Sequence, residues 1–438
     1  MKRRQFLKTS GIAGVSFLLT VRGLYGANEK VVAGLMGAGG RGSFLSNAFA
    51  KRKDVEISWI CDPDSRRLGN LQKQIENSQG RKPQVAQDFR RILDDKSVDV
   101  VINATPDHWH ALGTILACIA GKDVYVEKPL SHNLWEGRMM VSAARKYKRV
   151  VQVGTQSRSA PYVHIAKERI QSGKLGKIHT VKVYNMMSHP FVKRASEQPP
   201  KEVDFDLWSG PAQVLDYSIA RSWLNYFEYS CGPIPGDAIH QLDLARMVLG
   251  DPPPPKKVSQ VGEILVLKDG RDTPDTQFAI FEFDNFVMTL EAALWTPYMK
   301  KTPYEIRDTD AMPDWKFNAT RIEIYGTDGF MFLGRHGDGW EVFDVNGKLT
   351  ESKPGRQGDN EHIENFINCV KSREKPISDV EQGHLSTMLC HLANISFKLG
   401  NQSLQFDSSK ELITDNPEAN KLLKRGSYRK PWEIPSIS

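Results

Sequence analysis

The sequence predicts an α/β protein in which a Rossmann dinucleotide-binding domain comes first and a second α/β domain follows. Three observations carry the prediction. Short β-branched runs alternate with helical stretches through the first third of the chain. The first run leads into a G-x-G-x-x-G turn, and an aspartate follows 20 residues after its last glycine. The length, 438 residues, exceeds what one hydrophobic core organises.

In chain order, the apolar run Val31 to Met36 ends in Gly37-Ala38-Gly39-Gly40-Arg41-Gly42, and a helical stretch runs from Ser43 to about Arg52. The next strand, Val55 to Ile60, stops at Cys61-Asp62. Gly37 permits the tight turn, Gly39 lets the backbone approach a pyrophosphate, and Gly42 packs helix against strand. Gly40 and Arg41 complete the turn, and the pyrophosphate charge meets the helix N-terminus. Asp62 accepts from both ribose hydroxyls, which points to NAD, since a carboxylate repels a 2′-phosphate. Arg66 and Arg67 lie just beyond and keep NADP open; their other reading is as solvated charges on a helix.

Further strands are expected at Val98 to Ala104, Asp123 to Val126 and Val150 to Val153, each after a helical stretch. Right-handed crossovers make them parallel, and ligands of such sheets bind beyond the strand C-termini. Two segments therefore line the crevice: Thr105-Pro106-Asp107-His108-Trp109-His110 and Glu127-Lys128-Pro129.

The glycine turn, the T-P-x-x-x-H segment and Glu127-Lys128-Pro129 together resemble the Gfo/Idh/MocA oxidoreductases. Gly154 to Arg158, Leu207 to Pro211, His240 to Asp243 and Tyr428 to Trp432 resemble one branch of that family, and the likeness extends over residues 29–438. It implies a C-terminal α/β domain with a large open, mostly antiparallel sheet, and a substrate placed between the domains against the nicotinamide. It also implies hydride transfer at a secondary hydroxyl of a sugar, cyclitol or glycoside. Lys128 then reaches the reacting hydroxyl, Pro129 shapes the turn and Glu127 contacts the cofactor ribose. His110 lies near the nicotinamide ribose and orders its loop, while His108 and Trp109 line the substrate mouth.

Chemistry asks for such a lysine independently. Removing hydride from a carbinol carbon requires the hydroxyl proton to leave, and an ammonium polarises the developing alkoxide. Asp237 and His240, at i and i+3, share a face of a helix, so His240 is the candidate base and Asp237 its partner. In the family the acid commonly stands four residues before the histidine, where this chain has Gly236. Arg158 follows a strand end as a candidate substrate or loop contact, and Trp223 is a candidate for stacking on a sugar face. A histidine pair without a nearby acid is a poor metal site, so no metal is expected.

Later runs suit a sheet: Gln277 to Phe283, Phe286 to Leu290 and Arg321 to Tyr325. Helices are expected at Asn360 to Val370 and Gly383 to Leu399. The polar segment from Thr296 to Thr320 reads as a surface loop, with a lid or an oligomer arm as alternatives.

The net charge of +7 is concentrated at the start. Residues 1–27 carry Lys2, Arg3, Arg4, Lys8 and Arg22 with no acid, leaving 54 basic against 52 acidic groups beyond. Paired arginines ahead of a short apolar run resemble a twin-arginine (Tat) export signal, with an uncleaved membrane anchor as the alternative. The remainder, near neutrality, offers no footprint for nucleic acid and suits an uncharged or weakly charged saccharide. Five widely spaced cysteines with no CxxC pair speak against a zinc site and a disulfide framework.

The domain plan is thus a signal segment at 1–27, a NAD(P)-binding domain at 28–153, and a substrate-binding and oligomerisation domain at 154–438. Export to the periplasm removes the protein from free NAD, so the cofactor is expected to travel bound. Hydride then passes to a second substrate or an external acceptor, or returns after cleavage or epimerisation of a keto-sugar. A reading of another class is a non-catalytic nucleotide-binding scaffold or sensor, against which the Lys128/His240 pair speaks.

Overall fold

The computed structural model describes residues 30–437; the expected export signal lies outside the described residues. Six parallel strands form the first sheet: β1 (Val31–Met36), β2 (Val55–Cys61), β3 (Gln84–Ala86), β4 (Val100–Asn103), β5 (Asp123–Val126) and β6 (Val151–Val153). Their order is β3-β2-β1-β4-β5-β6. Between them run α1 (Gly40–Ala50), α2 (Leu68–Gln79), α3 (Arg90–Asp94), α4 (Asp107–Ile119) and α5 (Leu134–Lys146). β4 and β5 are buried along their whole length, as β-branched runs covered on both faces should be. The strand order reverses between β1 and β4, which opens a crevice at their C-terminal ends. The edge strand β3 escapes the sequence pattern because it is three residues long and mostly exposed.

The second sheet has ten strands in the order β14-β13-β12-β11-β7-β10-β9-β8-β15-β16. These are β7 (Ile178–Met186), β8 (Lys257–Glu263), β9 (Thr276–Glu282), β10 (Val287–Ala293), β11 (Ile322–Gly326), β12 (Gly329–Leu333), β13 (Trp340–Asp344), β14 (Leu349–Lys353), β15 (Leu404–Asp407) and β16 (Leu412–Ile413). Only β7 and β10 pair in parallel. Met288, Leu290 and Ala292 of β10 face inward, while Val261, Phe278 and Ile280 on β8 and β9 remain exposed. The inward face is covered by helices. The helices of this half are α6 (Pro161–Gln171), α7 (Phe205–Ser209), α8 (Tyr217–Ala220), α9 (Pro233–Val248), α10 (Asp359–Ser372), α11 (Val380–Lys398) and α12 (Pro417–Lys421). Of these, α9 packs on β7 and α11 on β8.

The chain returns twice to the first domain. Phe366 of α10 meets Phe49 of α1 and Tyr125 of β5 edge-on, inside the core under β1 and β2. Near the C-terminus, Trp432 packs edge-on to Trp109 with ring centroids 5.1 Å apart. A third link is made by backbone. Ser65 donates to the Glu202 carbonyl at 3.1 Å and Asp204 to the Pro63 carbonyl at 3.0 Å, with Asp64 and Val203 bridged in β fashion. The segment after β7 is thereby strapped onto the loop that carries Asp62.

Candidate active site

The glycine turn shows why each glycine stands where it does. Gly37 has φ +91°, a left-handed conformation, and a Cβ there would lie 2.6 Å from the Ala104 carbonyl oxygen. At Gly42 a Cβ would lie 1.8 Å from the Gly37 carbonyl oxygen, so the first turn of α1 can rest on the loop only without a side chain. Gly40 meets nothing within 4 Å and Gly39 only the Arg67 guanidinium. Both therefore present bare backbone to a cavity of about 810 Å³. No side chain caps α1, which leaves its N-terminal N–H groups to an anion.

Asp62 lines this cavity at the end of β2. Its carboxylate is fixed by the Ala38 N–H at 2.7 Å and the Asp64 N–H at 2.9 Å. Burial pushes its pKa up. Arg66 is held by Asp64 through two bonds of 2.7 Å, and Arg67 reaches over Gly39. The one arginine is engaged and the other stands at the phosphate turn, so an open ribose carboxylate and a bare anion cradle fit NAD.

Across the crevice, Thr105 and Pro106 line the cavity after β4, and Thr105 Oγ1 donates to Asn103 Oδ1 at 2.7 Å. Glu127 follows β5, and its Oε1 accepts from Arg41 Nε at 2.8 Å. Burial alone would raise the Glu127 carboxyl, but Arg41 and Lys128 outweigh it and hold the group below its ordinary value. Glu127 thus anchors Arg41 at the glycine turn while facing the cavity. The His110 ring stands between the Pro129 carbonyl at 2.6 Å and the Thr105 carbonyl at 2.9 Å, binding the two crevice loops together.

Lys128 is fixed from the other domain. Its Nζ donates to the Gly236 carbonyl, in the first turn of α9, at 2.6 Å. Lys128, Leu224 and Gly236 are shared between the dinucleotide cavity and a second one of about 470 Å³, lined also by Met186 to Pro190, Asp237, Met299 and Lys301. Asp237 accepts from Arg335 at 2.9 Å and Lys301 at 3.1 Å. Burial would raise its pKa, yet these two cations hold it well below the usual carboxylate range. His240, one turn further along α9, is 6% exposed, and its imidazole has no hydrogen-bond partner among the described residues. Burial, then Arg335 and Lys128, keep its pKa well below the ordinary histidine value, so the imidazole is neutral. Lys128 lines both cavities, and the neutral imidazole of His240 lies one turn beyond Asp237 on α9.

Of the expected substrate residues, Arg158 and His108 fall elsewhere. Arg158 is buried in a double ion pair, 2.8 Å from Asp243 and 2.7 Å from Asp251, with both its edges occupied, so it braces α9 and lines neither of these cavities. His108 is 1% exposed, between the Trp208 carbonyl at 3.0 Å and the Tyr229 carbonyl at 3.2 Å, and burial pushes it down to about 3. It therefore ties α4 to the second domain and does not line the substrate mouth. Trp109 forms a wall of the dinucleotide cavity, its Nε1 donating to the Trp208 carbonyl at 2.9 Å. Trp223 does line the cavity, beside Leu224.

Lys301 and Arg335 escape the sequence reading. Lys301 belongs to the polar segment read as a surface loop, which pairs with itself (Lys300 N–H to the Phe317 carbonyl, 2.9 Å) and folds inward. Neither residue has a motif; only the sheet topology brings them to α9. Among the described residues no group of three or more His, Cys, Asp or Glu is arranged to hold a metal ion.

A glycine-turn sheet facing an α/β domain, with a strand-end lysine at the cavity between them, defines the class of two-domain, dinucleotide-dependent oxidoreductases. The chain belongs to the Gfo/Idh/MocA oxidoreductase family: residues 31–155 match its "NAD-binding Rossmann fold" profile and residues 167–398 its "C-terminal alpha/beta domain" profile. It is similar to the scyllo-inositol 2-dehydrogenase (NAD(+)) of Bacillus subtilis, 26% identical over 68% of this chain and 78% of that one. It is also similar to the myo-inositol 2-dehydrogenase of Thermotoga maritima, 22% identical over 83% and 96%. Levoglucosan dehydrogenase, solved with NADH and levoglucosan, shares the fold with a TM-score of 0.64, at 19% identity over 86% of this chain and 99% of that one.

Proposed function

We propose that the protein transfers hydride between a tightly held NAD and a secondary hydroxyl of a sugar, cyclitol or glycoside. The observation that carries this is the Lys128 ammonium, held 2.6 Å from the Gly236 carbonyl where the two cavities meet. The relatives named for inositols and levoglucosan supply the substrate class.

When bound, the nicotinamide supplies the hydride acceptor. Gly39, Gly40 and the α1 N-terminus would hold the pyrophosphate, and Asp62 the adenosine ribose. Lys128 donates to the carbinol oxygen and stabilises negative charge as it develops there. His240, neutral, takes the hydroxyl proton, with Asp237 beside it. Lys128→Met should lower kcat about 10²–10⁴-fold and leave nucleotide affinity within threefold. Preserved turnover in that variant would refute the assignment.

The strap between residues 63–65 and 202–204 supports a cofactor that stays through many turnovers, as an exported enzyme without free NAD requires. It favours hydride return to a second substrate, or redox-neutral cleavage or epimerisation, over nucleotide exchange. Denaturing the purified protein should release stoichiometric NAD. The twin-arginine segment would address the protein to the periplasm, and the exposed Val261, Phe278 and Ile280 would pair subunits into a homo-oligomer.

A further inference from the structure

The second cavity has a charge balance unlike that of the near-neutral chain beyond residue 27. Asp237 is its one carboxylate, and two cations converge on it, Arg335 at 2.9 Å and Lys301 at 3.1 Å. Arg335 uses a single nitrogen, Nη1, for both its side-chain bonds, to Asp237 and to Gln241 Oε1 at 3.3 Å. Its Nε and Nη2 have no acceptor among the described residues. Lys301 lines the cavity with a side chain 36% exposed and makes one of the three hydrogen bonds open to an ammonium. No second carboxylate bonds to either cation among the described residues. Lys301, which lines the cavity, and Arg335, which does not, thus share one carboxylate, leaving one positive charge uncompensated beside the cavity, and burial pulls the Lys301 pKa down. Holding such a charge is costly unless a ligand brings the counter-charge.

We infer that the substrate carries an oxyanion, a carboxylate or a phosphate monoester, that Lys301 recognises it from the cavity wall, and that Arg335 frees Lys301 to do so by taking the charge of Asp237. This rests on the hydroxyl-oxidising reading of the site and narrows its substrate to acidic sugars or cyclitols. The cavity volume, about 470 Å³, lies in the range of small-molecule sites, ~300–1,000 Å³. Lys128, on the wall shared with the dinucleotide cavity, stays with the reacting hydroxyl, so one molecule is held at two points and its reacting carbon is oriented.

The test is calorimetric titration of the nucleotide-loaded protein with D-glucuronate, D-glucose 6-phosphate and D-glucose, together with initial rates on each. At least one of the two anions should bind ten or more times tighter than glucose, with affinity falling as salt rises. The better anion identifies carboxylate or phosphate. In Lys301→Met and Arg335→Met the anion-to-glucose affinity ratio should fall at least tenfold, with thermal unfolding checking that each variant folds. Equal binding of glucose and both anions, no binding of any, or a ratio unmoved by both substitutions overturns the inference. So does a fall in kcat shared by acid and neutral substrates with KM unmoved, which would assign the cations to the developing alkoxide. Turnover of neutral sugars without preference would leave the hydroxyl-oxidising reading standing; no turnover on any sugar, neutral or acidic, would count against that reading instead.

Discussion

Lys128 and Gly236 come from different domains, yet the ammonium of one donates to the carbonyl of the other at 2.6 Å. The strand-end lysine is thereby aimed by the first turn of α9, the helix that also presents Asp237 and His240. Docking of the two domains thus brings Lys128 to the helix that carries Asp237 and His240.

The pH dependence follows from the charges around His240. Burial lowers its pKa most, Arg335, Lys128 and Arg41 lower it further, and Asp237 raises it. The neutral base therefore persists as pH falls through the ordinary histidine value, about 6.5, and kcat/KM for oxidation should lose its acid limb only well below that. Arg335→Met removes a lowering charge, so the limb should move to higher pH. A pH–rate profile that moves downward, or not at all, would contradict His240 as base.

Gly42→Ala places a methyl 1.8 Å from the Gly37 carbonyl oxygen. The helix must lift off the loop, and NAD affinity should drop at least tenfold, measured by quenching of protein fluorescence. Gly40→Ala meets no protein atom within 4 Å. It should fold normally, with any loss confined to nucleotide binding.

Arg158→Met leaves Asp243 and Asp251 without their cation inside the second domain. The expected cost is about 3–5 kcal/mol, read as a lower midpoint in urea. Nearby Arg246, pushed down to about 10 by burial and by Arg158, cannot fully replace it. Substrate KM in folded protein should stay put; a selective rise in KM would return Arg158 to the substrate.

Asp204→Pro removes the N–H that bonds the Pro63 carbonyl. The native φ of −74° suits proline, and the preceding Val203 is already extended. Bound NAD should exchange with labelled nucleotide at least tenfold faster. The substitution also removes the Asp204 cap on α7, so Asp204→Ala, which loses the cap and keeps the N–H, is the control and should share only the small fall in unfolding midpoint. Unaltered exchange would separate the strap from cofactor retention.

Much of this was legible along the chain because its signals are local. The period-two and helical runs placed β1, β2, β4, β5 and β6, and also β9, β10 and β11, within a few residues of their observed limits. The glycine turn and Asp62 were legible because a helix N-terminus, a bare backbone and an acid on the next strand are set by spacing. Lys128 and His240 could be named because each adjoins a pattern, a strand end and a helix face. His108 and Arg158 misled for the same reason: motif proximity says nothing about which way a side chain is buried.

The sequence by itself determined the fold class and the dinucleotide turn, since both rest on local periodicity and steric demand. Only the tertiary structure decided that Arg158 and His108 are braces, that the segment after β7 straps the Asp62 loop, and that Lys301 and Arg335 meet at Asp237. The reason is physical. A stretch near neutrality, with 54 basic against 52 acidic groups beyond residue 27, can still gather cations at one cavity, because Coulomb interactions act over a few ångströms in a low-dielectric interior and depend on folded distances, which the order of residues does not state.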